Sequence, residues 1–413
     1  MTSGSAFSVM LHWVALVVGV VMLVVTTRAV MASLLVPRAT RSRLVHYADR
    51  AANVTVRWFA MRRRDFAGRD HVLSYVAPVA LVYLLMTFVL AYLAAFALVI
   101  WAFGGSTGDA LYQAGATLTT LGFVGDPSAP QVVLGLLAAL VGLALVAVLI
   151  GYLLGLYGAF ADRERVVAEL AAVAGEPAWG PEILCRARLL GYADTPLGYD
   201  PGALRDWMTT IRTVQTANPL LNHMRTPIPQ RSWAVTLIAV TDAAVLHTTC
   251  VQGGDRDAAT VRVAAEGSAT LLALQAAHLF RAGRKGVAPP AFAAAAAVAE
   301  VMSDDDGCAK VMKSIALDAA PVPRAAREEA PGDPGITRAQ WDDAMHLLEA
   351  AGIAVSPDRD RAWDRFGRVR AAYAGSAHAV VERVYSVPAP WTGTRTPPID
   401  EWWPNLAAGL EQA

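Results

Sequence analysis

The residues of this chain whose chemistry is easiest to read are Thr119, Thr120, Leu121, Gly122, Phe123, Val124, Gly125 and Asp126. Only the last is ionisable, so the segment has the chemistry of backbone carbonyls and threonine hydroxyls, not that of a nucleophile. They close the stretch TGDALYQAGATLTTLGFVGD, which is small and apolar, and whose Thr107 or Asp109 is placed to cap a helix of about ten residues. The pattern predicts a short helix followed by non-helical backbone, set between two long apolar runs. Irregular backbone at membrane depth is tolerated only where it is buried in protein or lines a water-filled path. The segment therefore reads as a re-entrant helix and pore lining, with its carbonyls turned to an axis.

Other candidates carry less chemistry. Asp304-Asp305-Asp306-Gly307 offers oxygen ligands, but the loop spacing and closing glutamate of a calcium site are absent, and a solvated helix end accounts for it. His247 and Cys250 have a spacing that can bind metal on a helix, yet no two further ligands stand nearby, so they read as core residues. Asp206, His223, Asp242 and His278 pair no nucleophile with a base at a recognisable turn. The expectation is a protein that is not an enzyme and has no cofactor. No glycine-rich dinucleotide fingerprint follows a strand, no β-roll for a cyclic nucleotide is visible, and no nucleic-acid partner is expected.

The elements that must position the pore-lining segment are membrane spans. The chain has 413 residues, 55% of them hydrophobic and only 17% charged, too apolar for an ordinary soluble protein of this size. Phe7 to Thr27 is long enough to cross about 30 Å of hydrocarbon. It reads as a first span, since a signal peptide would have a basic start and a small-residue cleavage site. A second uncharged run covers PVALVYLLMTFVLAYLAAFALVIWAF, with Tyr75, Tyr92 and Trp101 where interfacial aromatics sit. A third extends from Pro127 to Ala161, and its Gly135, Gly142, Gly151 and Gly155 would permit close helix approach or bending. All ten arginines of the first 161 residues lie at or after Arg28 in the link between spans one and two, whereas the second link has only Asp109 and Asp126. The positive-inside rule then puts the N-terminus outside, the first link in the cytosol and everything after Asp162 in the cytosol. The arginines bunch as Arg62-Arg63-Arg64 instead of recurring every third position, so the link reads as a solvated or headgroup-binding helix, not a voltage sensor. Cys185, Cys250 and Cys308 form no even-numbered framework and suit a reducing compartment.

A span, a pore helix, TLTTLGF and a second span resemble the two-span unit of the potassium channel superfamily, whose filter reads T-x-G-[YF]-G-D. The resemblance covers about residues 72 to 162. It matches Thr120 to the filter threonine, Leu121 to the variable position, Gly122 to the first glycine and Phe123 to the aromatic, with Thr119 at the pore-helix end. In such filters carbonyls replace the hydration shell of the permeant ion. Val124 stands where the family has its second glycine. Either it displaces that glycine and distorts the outer ion site, or it is inserted before Gly125 and Asp126. The resemblance implies a potassium or other monovalent cation as permeant ion, no further metal, and a homo-oligomer, most simply a tetramer, in the plasma membrane.

The fold class expected is an all-α membrane protein with three spans, a re-entrant pore helix with filter loop between the second and third, and a helical cytosolic domain. The expected organisation is an N-terminal span at 1–35, a basic linker helix region at 36–71, a pore domain at 72–161, a cytosolic helical domain at 162–318, a linker at 319–335, and a C-terminal piece with a Pro/Trp-rich tail at 336–413. In the last piece Thr337 and Gln340 form a capping box, Trp341, Ala344, Met345 and Leu348 an apolar stripe, and Gly352 a stop. Trp391, Trp402 and Trp403 suggest that the tail docks on its own protein or on a partner. Trp207, Pro219, Leu220, Arg225, Thr226, Pro227, Ser232, Trp233 and Asp242 are similar to a segment found after the pore in some bacterial two-span channel-like proteins. The helix expected from Trp233 to Val251 is apolar enough for a fourth span, but Asp242 and His247 argue for a buried soluble helix.

Overall fold

The computed structural model describes residues 3–35, 43–122, 128–192, 195–215, 218–252 and 333–392, with isolated positions at 267, 268, 271 and 275. Among them the chain is helical; the only β feature is an isolated antiparallel bridge between Val251 and Val355. Two compact units are formed, one of Met1–Gly158 with Ala217–Met224, the other of Ala159–Thr216 with Arg225–Ala413.

The first unit holds α1 (Ser3–Val30), α2 (Arg43–Ala60), α3 (Phe66–Leu73), α4 (Val76–Ala102), α5 (Thr107–Leu118) and the first part of α6 (Ala129–Ala174); α1, α4 and this part of α6 are apolar all round. α1 packs antiparallel on α4: His12 meets Trp101, Gly19 lies against Ala95 and Val99, and Thr27 Oγ1 bonds Tyr92 Oη at 3.0 Å. α2 is amphipathic. It buries Ala48, Ala52, Val56 and Ala60 at helical spacing, while Tyr83 Oη on α4 donates to its Thr55 Oγ1 at 3.4 Å. α3 starts at Asp65, whose carboxylate accepts from Gly68 N. Leu84, Phe88, Tyr92 and Phe96 of α4 form the core with Ala110, Ala114 and Leu118 of α5 and Ala138 and Leu145 of α6.

Three helical stretches of this unit are long and apolar enough to cross a membrane, and most of their surface is uncovered: only 22% of the span window in α6 is buried. Exposed Val82, Met86 and Leu90 repeat every fourth residue along α4. A wide apolar exterior on long helices is the pattern of a multi-pass membrane protein.

The second unit is built around α9 (Trp233–Cys250), also long and apolar enough for a span, but 94% buried within the protein. Its neighbours are α7 (Gly180–Leu189), α10 (Arg338–Ala350) and α11 (Arg359–Val384), with the last turns of α6 and α8 (Pro201–Thr210) completing the unit. α10 begins with the expected capping box, Thr337 Oγ1 accepting from Gln340 N at 3.2 Å and Gln340 Oε1 from Thr337 N at 2.9 Å. Trp341, Ala344, Met345 and Leu348 are all buried, and the helix gives way to Gly352 at φ +75°. At the centre Asp242 takes Arg370 Nε at 3.0 Å, Arg370 Nη2 at 3.3 Å and Tyr373 Oη at 2.5 Å, while Arg370 also donates to the carbonyls of Pro334 and Trp391. Trp391 is buried against Phe366 and Trp179, so the start of the tail docks on its own unit. Trp402 and Trp403 lie outside the described residues.

The residues of the second resemblance work as local clamps. Trp207 Nε1 donates to Arg163 O at 3.0 Å, and Ser232 Oγ meets Ser386 Oγ at 2.8 Å. The Arg225 guanidinium closes the end of α11 on Val384 O and Tyr385 O. Cys185 and Cys250 are buried thiols, pushed up to about 12 and about 11 by burial; Cys308 lies outside the described residues.

Candidate functional site

The site is assembled at the end of α5. Gly104 and Gly105, at φ +108° and +97°, turn the chain out of α4, a conformation a side chain would resist. The cap of α5 is Ser106, one residue before the expected Thr107. Its extended backbone (φ −83°, ψ 156°) brings Oγ to Asp109 N at 3.1 Å, and Oγ in turn donates to the Asp109 carboxylate at 2.7 Å. α5 buries Ala110, Ala114 and Leu118, and Gly115 lies 3.6 Å, at the place of its absent Cβ, from Leu93. Gln113 is buried, and its Nε2 has no hydrogen-bond partner among the described residues.

At the C-terminal end Leu121 N donates to Ala116 O at 2.7 Å and Thr120 N to Thr117 O at 3.0 Å. This is the 6→1 and 5→2 pairing of a Schellman motif, which needs a left-handed residue at its fifth position. That residue is Thr120, at φ +62°, a β-branched side chain where glycine is the usual occupant. Thr119 turns its Oγ1 back onto Gly115 O at 2.7 Å, which makes it a helix-end residue. Gly122 follows at φ +115° with its N–H 3.3 Å from Ala116 O. Thr119, Thr120, Leu121 and Gly122 are all exposed, Leu121 by 85%. Among the described residues nothing donates to their four carbonyls.

Two contacts tie α5 to α6, one at each end. Gln131 Nε2, in the first turn of α6, donates to Gly104 O at 3.2 Å. Further along α6, the Leu118 carbonyl oxygen occupies the place where Gly142 would carry a Cβ. Of the residues the sequence singles out, Thr119 to Gly122 are thus gathered at one helix end, whereas Phe123, Val124, Gly125 and Asp126 lie outside the described residues. Gly142 and Gln131 were not legible as site residues. Gly142 is one of four glycines on an apolar run, and only the approach of Leu118 distinguishes it.

Of the remaining candidates, Asp206 is exposed on α8. Asp242 is held by Arg370 and Tyr373, and the Tyr373 hydroxyl is pushed well above its ordinary value by burial and by that carboxylate. His223 bonds Asn53 and lies 3.6 Å from the Asp49 carboxylate within the first unit. His247 and Cys250 are buried in α9, and the described residues contain no group of three metal-ligating side chains. His278 and Asp304 to Asp306 lie outside the described residues. No protein-family model, no curated protein and no solved structure matches this chain.

Proposed function

We propose that this chain is one subunit of a potassium-channel-like cation channel, a homotetramer in the plasma membrane whose filter begins at Thr119–Gly122 and whose helical second unit is a cytosolic gating or assembly module. The observation that carries the reading is the set of exposed carbonyls at Thr119, Thr120, Leu121 and Gly122, without a donor among the described residues, between two long apolar helices. Each unsatisfied backbone group in hydrocarbon costs several kcal/mol, so such a segment is suited to a wet path where water, ions or other subunits meet it.

The re-entrant reading is supported by the two contacts on α6. Gln131 meets the chain just before α5 begins, and Gly142 meets the residue where α5 ends. At 1.5 Å per residue the interval along α6 is about 16 Å, half the thickness of a bilayer core. The negative end of the α5 dipole is then directed to mid-membrane, where it favours a cation. Potassium is the permeant ion that the T-x-G-F order favours, and the basic first link supports a cytosolic second unit.

Purified protein in liposomes should pass potassium, and Gly122→Ala, strained at φ +115°, should abolish the flux. Absence of cation flux in every tested state, or flux unmoved by Gly122→Ala, refutes the proposal. One observation favours a second reading, a non-conducting receptor or scaffold with the same pore-loop fold: Val124 stands at the second filter glycine. Under that reading Val124→Gly creates conduction that the natural chain lacks.

A further inference from the structure

We infer that the C-terminal end of α2 and the turn after it form a binding site for anionic phospholipid headgroups. Trp58, Phe59 and Met61 are exposed by 56%, 53% and 47%, a dense apolar group for a segment that also holds Arg62, Arg63 and Arg64. The arrangement is ordered. Trp58 and Phe59 pack edge to face at 4.7 Å, and the Arg62 guanidinium lies 3.3 Å over the Trp58 ring. Stacking holds the guanidinium plane and leaves its edge, the part that bonds phosphate oxygens in pairs, directed away from the ring. The turn is braced through Arg62 N on Phe59 O, Arg63 N on Ala60 O, and Arg69 Nε on Arg63 O at 2.7 Å.

Charge is not cancelled locally. Among the described residues Arg63 and Arg64 are exposed and hold no ion pair. The one acidic neighbour in the turn, Asp65, points its carboxylate at Gly68 N, and that hydrogen bond, before the nearby arginines, keeps its pKa below the ordinary value. Nor is the site remote from lipid. The Tyr83–Thr55 bond and the burial of Ala48 with Leu84 and Phe88 run α2 antiparallel to α4, which brings Trp58 beside the start of α4. From there the exposed residues Tyr75, Val82, Met86 and Leu90 continue along α4. Interfacial aromatics next to stacked and unpaired arginines, at the foot of an apolar exterior, fit a phosphate-bearing anionic headgroup with its acyl chains along α4.

An arginine near an anionic bilayer surface contributes roughly a fivefold gain in affinity. The test uses the full chain in detergent, titrated with phosphatidylglycerol or with phosphatidylcholine of the same acyl chains, bound lipid being counted by native mass spectrometry. Phosphatidylglycerol should be retained over phosphatidylcholine. R62Q/R63Q/R64Q should weaken phosphatidylglycerol at least tenfold and leave phosphatidylcholine unchanged. If the triple variant does not elute as folded protein, R63Q/R64Q carries the same test. Equal retention of both lipids by the natural chain overturns the inference, as it would if an acidic segment of the chain itself covered the arginines. Phosphatidylglycerol binding that the variants leave unmoved assigns the lipid to another surface and overturns it as well.

Discussion

Thr120→Gly separates what the fold needs at the end of α5 from what the proposed pore needs. A β-branched residue in the left-handed region costs about 1–2 kcal/mol. Thr120 is exposed and its hydroxyl makes no hydrogen bond among the described residues, so no contact offsets that cost. Glycine removes the strain but adds about 0.5–1 kcal/mol of unfolded-state entropy. The net expectation is a gain of about 0.5–1 kcal/mol, seen as an apparent Tm raised by about 1–4 °C in one detergent. Thr120→Val keeps shape and strain and should leave the apparent Tm unchanged. Both variants remove the hydroxyl, and both should lower potassium flux at least tenfold in liposomes. A Thr120→Gly protein destabilised by more than about 1 kcal/mol would refute the left-handed conformation. A stabilised protein with full flux would refute the assignment of the threonine oxygen to the ion path.

The other expectations concern packing and charge. Gly142→Ala sets a methyl group where the Leu118 carbonyl lies, which should cost about 1–3 kcal/mol, lower the apparent Tm and abolish flux; an unchanged protein would disprove the contact. Arg370→Met leaves Asp242 buried and unpaired and should cost about 3–5 kcal/mol by denaturation, most of it recovered in D242L/R370M. Glu182 is pushed up to about 7 by burial, Arg186 opposing. Because the folded state holds this proton more tightly than the unfolded chain, the contribution is complete below about pH 4.5 and is lost as pH rises through 7. Relative to Glu182→Gln, the natural chain should lose about 3 kcal/mol between pH 4.5 and 8, and parallel stability profiles would disprove the shift.

The spans, the short helix after the second of them and the capping box at Thr337 were legible because each rests on a local signal: an uncharged run, a small apolar stretch, a paired cap. The cap of α5 was placed one residue late: Thr107 and Asp109 were the expected caps, whereas Ser106 makes the bond to Asp109 N. What sequence withholds is long-range partnership. Nothing near Asp242 announces Arg370, which lies far along the chain, and nothing near Gly142 announces Leu118. The conformation of Thr120 was hidden for a different reason: threonine is disfavoured at a left-handed position, so propensity points away from the geometry found.

The contrast between α9 and α5 shows where partner accounting separates structure from function. α9 and the first-unit spans both pass the same test of length and apolarity, yet α9 is 94% buried and its one carboxylate is saturated by Arg370 and Tyr373. A helix buried in its own unit with its carboxylate paired is accounted for by packing, and its charge is a packing element. The end of α5 is the reverse case. Its apolar face is buried, its cap is made, and still four consecutive carbonyls have no donor among the described residues and stand at the surface of one chain. Backbone oxygen is costly to strand in hydrocarbon, so these carbonyls need donors or cations beyond those the described residues supply. The strained Thr120 tightens the argument: strain of this size persists where the surroundings fix it, and glycine would have avoided it. If the carbonyls of Thr119 to Gly122 did no more than end a helix, that replacement would improve the protein without loss, which is the outcome the Thr120→Gly measurement is able to find.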